Sequence, residues 1–86
     1  MYKLILHKKV IKFINKKDAK DTNRINSKLK LLKDNPYPTN ELLDIKKLKN
    51  SNFYRLRVND YRFIYEIIDD ELVILILDAN NRGDIY

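Results

Sequence analysis

The chain contains no cysteine. That removes disulfide staples and thiol nucleophiles together, and it fits a reducing compartment. Histidine occurs once, as His7, on or beside the first short strand, where it reads as a structural residue. No apolar run approaches the length of a membrane span. The opening "MYKLILHKKV" lacks a signal peptide's long apolar region and small-residue cleavage site. Repeats and low-complexity tracts are absent as well. These absences describe a soluble cytoplasmic protein with one domain over 1–86, near the lower end of what folds unaided. With 44% hydrophobic residues it can bury a modest core.

What is present is charge, unevenly spread. The net charge is +6. Residues 1–34 hold eleven Lys/Arg against Asp18, Asp21 and Asp34, a net of +8. Residues 35–50 stand at +1, and residues 51–86 at −3. A basic N-terminal third suits a polyanion or an acidic partner, or simply coats a soluble helix pair. The kind of base also changes. Ten of thirteen lysines precede residue 35, whereas four of five arginines follow residue 54. Arginine's planar fork can grip a phosphate with two parallel hydrogen bonds, which an ammonium cannot do. Arginine therefore appears where the sequence turns acidic, and that marks the C-terminal third as the working part.

Hydrophobic spacing orders the elements. "YKLIL" alternates as a short first strand. Over 8–17, Val10, Phe13 and Ile14 recur at helical spacing with lysines on the other side. Asp18 or Asp21 can cap a second helix whose inner face is Ile25, Leu29 and Leu32. "DNPYP" stops it, since proline biases the preceding residue towards extended geometry. Residues 35–52 read as a long connection anchored by Leu42, Leu43, Ile45 and Leu48. Strands follow at about 53–58, 61–68 and 71–78, then the tail "ANNRGDIY". The order β-α-α-β-β-β predicts an α+β domain: a mostly antiparallel sheet with two N-terminal helices packed on one face.

The segment "FYRLRVNDYRFIYEI" threads Arg55, Arg57 and Arg62 through an alternating apolar pattern. "VNDY" reads as a two-residue hairpin turn, Asn59 and Asp60 tolerating positive φ. Val58 then pairs with Tyr61, Arg57 with Arg62, and Arg55 with Ile64. All three arginines project from one face, while Leu56, Phe63 and Tyr65 project from the other, against the helices. Two cations directly opposite cost about 0.2–1 kcal/mol, which a purely structural hairpin has no reason to accept. Asp60, Glu66 and Asp78 are the local acids that could pair with them, and Glu66 shares their face. "LVILILD" reads as a central strand covered on both faces, with the tail lying across part of the arginine face. That tail brings Asn80, Asn81, Arg82 and Tyr86 near the arginines, a composition suited to phosphate gripping and base stacking.

From "LLDIKKLKNSNFYRLRVNDYRFIYEI" through "DDELVILILDANNRGDIY" the chain resembles the RelE/ParE superfamily of type II toxins. The resemblance implies a small toxin neutralised by a cognate antitoxin that wraps around it. Its RelE branch implies an endoribonuclease that cuts messenger RNA in the ribosomal A site, without metal or cofactor, by 2′-hydroxyl attack on the adjacent phosphate. Carried over by position, the catalytic residues are Arg55, Arg57, Arg62, Arg82 and Tyr86. Lys46, Lys47, Lys49 and Asn81 are the further RNA-binding candidates. Asn81 stands where many members carry histidine, and an amide can orient RNA but cannot act as a general base. "DDE" at 69–71 fits a hairpin turn better than a metal cluster, because consecutive acids on a tight turn do not converge on one ion. The alternative function is a ParE-like inhibitor of DNA gyrase or a silent binding relative, in which the same fold binds without cutting.

Overall fold

The computed structural model describes residues 1–81. Its order is β1 (Lys3–Leu6), α1 (Lys8–Asn15), α2 (Ala19–Asp34), β2 (Asp44–Lys47), β3 (Phe53–Val58), β4 (Tyr61–Ile68) and β5 (Val73–Asn81). The five strands form one sheet in the order β1-β5-β4-β3-β2. Only β1 and β5 run parallel; the other three pairings are antiparallel.

The helices begin and end where side chains can meet their orphan backbone groups. His7 caps α1, its Nδ1 accepting from the Lys9 amide at 3.1 Å. Asp18, not Asp21, caps α2 by accepting from the Asp21 amide at 2.9 Å. Asp21 is thereby freed to accept from the Tyr61 hydroxyl at 2.6 Å, which ties the first turn of α2 to β4 and raises the Tyr61 pKa. At the other end, Asn40 donates to the Leu31 and Asn35 carbonyls at 3.2 and 2.8 Å. Its amide oxygen accepts from the Leu42 amide at 3.1 Å. One side chain thus closes the helix and shapes the loop after it.

Both helices pack on the same face of the sheet. Val10 and Ile14 from α1 and Ile25, Leu29 and Leu32 from α2 meet Leu56, Val58, Phe63, Tyr65, Ile74 and Ile76. Phe13 inserts edge-on against Tyr61 and Phe63, with ring centroids 5.6 and 6.0 Å away. The buried Tyr65 hydroxyl donates to the Pro36 carbonyl at 2.6 Å; burial raises its pKa, so it stays a donor.

Three expectations are corrected. The stretch 35–52 is not all connection, because Asp44–Lys47 forms an edge strand on β3. Leu72 takes positive φ after the 3₁₀ turn Asp69–Glu71, so the last strand begins at Val73 rather than 71. It then runs on to Asn81. Residues 79–81 therefore extend β5 beside β4 instead of crossing the arginine face. The apolar run is central because β5 lies between β1 and β4. Its Leu75 is only half-buried, so the second face is less covered than the composition implied.

The turn Asp69–Glu71 has a structural use. Tyr2 donates to Asp69 at 2.6 Å and Tyr37 to its other oxygen, joining the residue before β1, the loop after α2 and the β4–β5 turn. These hydroxyls hold the Asp69 carboxyl below its usual pKa of 3.8. A lowered folded-state pKa gives stability that is present above the unfolded value and lost as pH falls through the folded one. The double variant Tyr2→Phe/Tyr37→Phe should therefore melt below wild type at pH 7, with the gap closing below pH 3.8; a gap constant with pH would contradict this. Asn40→Ala takes the side-chain donor from the Asn35 carbonyl and leaves Leu31's carbonyl with the Asn35 amide alone. It should cost about 1–3 kcal/mol in denaturant unfolding.

Candidate nucleic-acid interface

The hairpin register fixes the site. Val58 pairs with Tyr61, Arg57 with Arg62, Leu56 with Phe63 and Arg55 with Ile64. Opposed residues of a ladder share a face, so Arg55, Arg57 and Arg62 stand together on the side away from the helices. Asn59 alone takes positive φ, at 55°, in the connecting turn; Asp60 does not.

The neighbouring strands extend this into two rows across the sheet. One runs Asp44, Arg57, Arg62, Asn80; the next runs Lys46, Arg55, Ile64, Asp78. Asp44 belongs to the strand that sequence spacing did not reveal, and it is the carboxylate that Arg55 and Arg57 share. Its Oδ1 accepts from Arg55 Nη2 at 3.1 Å, and its Oδ2 lies 3.9 Å from Arg57 Nη1. Of the acids expected to pair with them, Asp78 instead pairs with Lys9 of α1 at 3.5 Å.

The Arg55 side chain is only 10% accessible, against 54% for Asp44. Burying a guanidinium costs free energy unless its donors are used. Here they are not all used. Arg55 Nη1, Arg57 Nε and the Asn80 amide oxygen are buried with no hydrogen-bond partner among the described residues. Native structures leave few such atoms. Two buried donors on neighbouring cations form the kind of local deficit that an anion with several acceptor oxygens fills.

Other candidates are placed differently. Lys46 shares the arginine face, opposite Arg55. Lys47 is opposite Tyr54 and so lies on the other side of the strand. There it lines a small cavity with Tyr37, Asn52, Glu66 and Asp69. Lys49 is exposed beyond the end of β2. Asn81 pairs with Tyr61, which places Asn80, not Asn81, beside Arg62. Arg82 and Tyr86 lie outside the described residues. Sequence reading missed Asp44. The short alternation in "LDIKKL" was its one signal, and four residues are too few to separate a strand from a loop.

An α+β chain with its helices on one side of the sheet and an arginine row on the other has the build of the small toxins of type II toxin–antitoxin systems. A family model described as the ParE toxin of the type II toxin-antitoxin system, parDE, matches residues 6–86. The chain is 32% identical over 82 residues to RelE1 of Methanocaldococcus jannaschii, covering 94% of this chain and 90% of that one. A chain of the archaeal RelE–RelB complex from Pyrococcus horikoshii OT3 superposes with a TM-score of 0.84 and 31% identity, over 98% of each. One from the RelB–RelE antitoxin–toxin complex of Methanococcus jannaschii gives 0.75 and 26%, over 95% of this chain and 94% of that one. The protein belongs to the RelE/ParE superfamily of type II toxins.

If the arginines serve a ligand rather than the fold, removing one should not harm stability. Removing one member of an ion pair is costly when it leaves the other charge buried, but Asp44 is half exposed and can return to water. Arg55→Met should therefore melt within a few degrees of wild type, with Asp44 left facing water. A loss above about 2 kcal/mol would make the Arg55–Asp44 pair a structural device instead.

Proposed function

We propose that this RelE-like toxin is an endoribonuclease that cuts messenger RNA in the ribosomal A site without a metal. The observation that carries the reading is the pair of unused donors, Arg55 Nη1 and Arg57 Nε, buried in a row of cations on one face. A purely structural sheet gains nothing from that arrangement.

The 2′-oxygen of one ribose attacks the adjacent phosphorus, and the bond from phosphorus to the 5′-oxygen of the next nucleotide breaks. The products are a 2′,3′-cyclic phosphate and a free 5′-hydroxyl. On the way the phosphate acquires a second negative charge in a five-coordinate state. Arg55, Arg57 and Arg62 supply fixed positive donors for that charge, commonly the largest single contribution to such catalysis. Arg82 adds to them in this reading, and Tyr86 either moves the proton of an attacking or leaving oxygen or stacks on a base. Lys46 lies on the same face as a contact for the strand's backbone.

The partner in this reading is a cognate antitoxin, as in the RelE–RelB complexes the chain resembles. Ordering on the toxin by adding a helix or strand is a common mode for such segments. The neighbouring gene's product should co-purify with the toxin and restore growth when both are expressed. A second reading, inhibition of DNA gyrase by binding alone, draws on the ParE name of the matching family model.

Message cleavage by the wild-type protein separates the two, and Arg62→Ala tests the arginine row. Loss of one preorganised charged donor should slow message cleavage on programmed ribosomes about a hundredfold or more, roughly 3–4 kcal/mol, with an unchanged melting temperature. Tyr86→Phe should cause a large loss if the tyrosine moves a proton and little if it stacks. Wild-type cleavage by Arg62→Ala would remove Arg62 from the catalytic set, and a wild-type protein that leaves messages intact would favour the binding-only reading.

A further inference from the structure

We infer that Asp44 is a resident anion of the arginine row, displaced by a nucleic-acid phosphate when the strand binds. The inference rests on the arginine row being a phosphate site and goes one step further, to what the site holds when no ligand is present.

Three observations carry it. The Asp44 carboxylate spans the two guanidinium groups as a phosphate would, with one oxygen on Arg55 and the other towards Arg57. The donors these arginines have left, Arg55 Nη1 and Arg57 Nε, have essentially no solvent-accessible area. An incoming anion therefore cannot reach them without something moving aside. Among the described residues Asp44 is suited to move: it is half exposed, sits on the sheet's outer strand and makes a single short bond to the row. Its strand is only four residues long.

Such a carboxylate sets a threshold. A lone small anion must compete with a tethered one whose local concentration is high. A nucleic-acid strand brings several phosphates and holds on by its neighbours while one of them exchanges with Asp44. The site thereby selects a polyanionic chain over single anions, and the cost of displacing Asp44 is drawn from the strand's other contacts.

The test measures binding without cleavage, using an uncleavable 2′-O-methyl oligonucleotide and, separately, inorganic phosphate. Asp44→Asn keeps shape and removes charge; Asp44→Ser checks that the result does not depend on the amide. Glu71→Gln, in the β4–β5 turn, changes net charge equally at a distance. Both Asp44 variants should bind the oligonucleotide about threefold tighter or more, equivalent to about 0.7 kcal/mol, while Glu71→Gln follows wild type. Phosphate should perturb the arginine Nε–H NMR signals at lower concentration in Asp44→Asn than in wild type. Equal or weaker binding by the Asp44 variants, or equal tightening by Glu71→Gln, would overturn the inference. That failure is distinct from failure of the nuclease reading, which would show as a wild-type protein that binds RNA but leaves it intact.

Discussion

A slip of one residue between Phe53–Val58 and Tyr61–Ile68 would turn one strand's face over and break up the arginine row. Much of what distinguishes this molecule depends on that slip not happening. The register is held from the opposite face, where Leu56 sits across from Phe63 and both are fully buried. Tyr65 adds the hydrogen bond to Pro36. Phe13 of α1 wedges against Phe63 and Tyr61. Hydrophobic packing on one side therefore keeps Arg57 opposite Arg62 on the other, against their mutual repulsion. Core and site are two faces of one hairpin.

The charge is divided in the same way. Lysines coat the helices on the far side, where they remain solvated or, as with Lys17 over Phe13 and Tyr61 at 4.1 and 4.7 Å, cover aromatic faces. The arginines stand apart on the side without helices. There the edge strand Asp44–Lys47 brings up both a carboxylate and a lysine, Asp44 opposite Arg57 and Lys46 opposite Arg55. Two acids of the C-terminal third are engaged elsewhere: Asp69 with two tyrosines, Asp78 with Lys9. Among the described residues, neither of these two carboxylates is paired with Arg55 or Arg57, which share Asp44.

The hairpin was legible because period-two alternation, a turn dipeptide and arginine placement all pointed to one register, and parity then put the three arginines on one face. The helices were legible from Val10, Ile14, Ile25, Leu29 and Leu32 at turn spacing. Asp44–Lys47 was not. A four-residue edge strand with one half-buried residue, Ile45, carries too little pattern to stand out from a loop. The end of the last strand was equally hidden, since Ala79, Asn80 and Asn81 have low strand propensity and are held there by pairing with β4. Asp44 was missed for the same reason: its role comes from a pairing eleven residues away from Arg55, not from local spacing.

The central claim is that this face meets messenger RNA and cuts it. Primer extension on translated messages after inducing the protein tests that most directly. The account predicts new 5′ ends inside translated coding regions, appearing with growth arrest and absent when the messages are not being translated. Growth arrest with every message intact, accompanied by DNA damage, would contradict it and leave the arginine face as a binding surface alone.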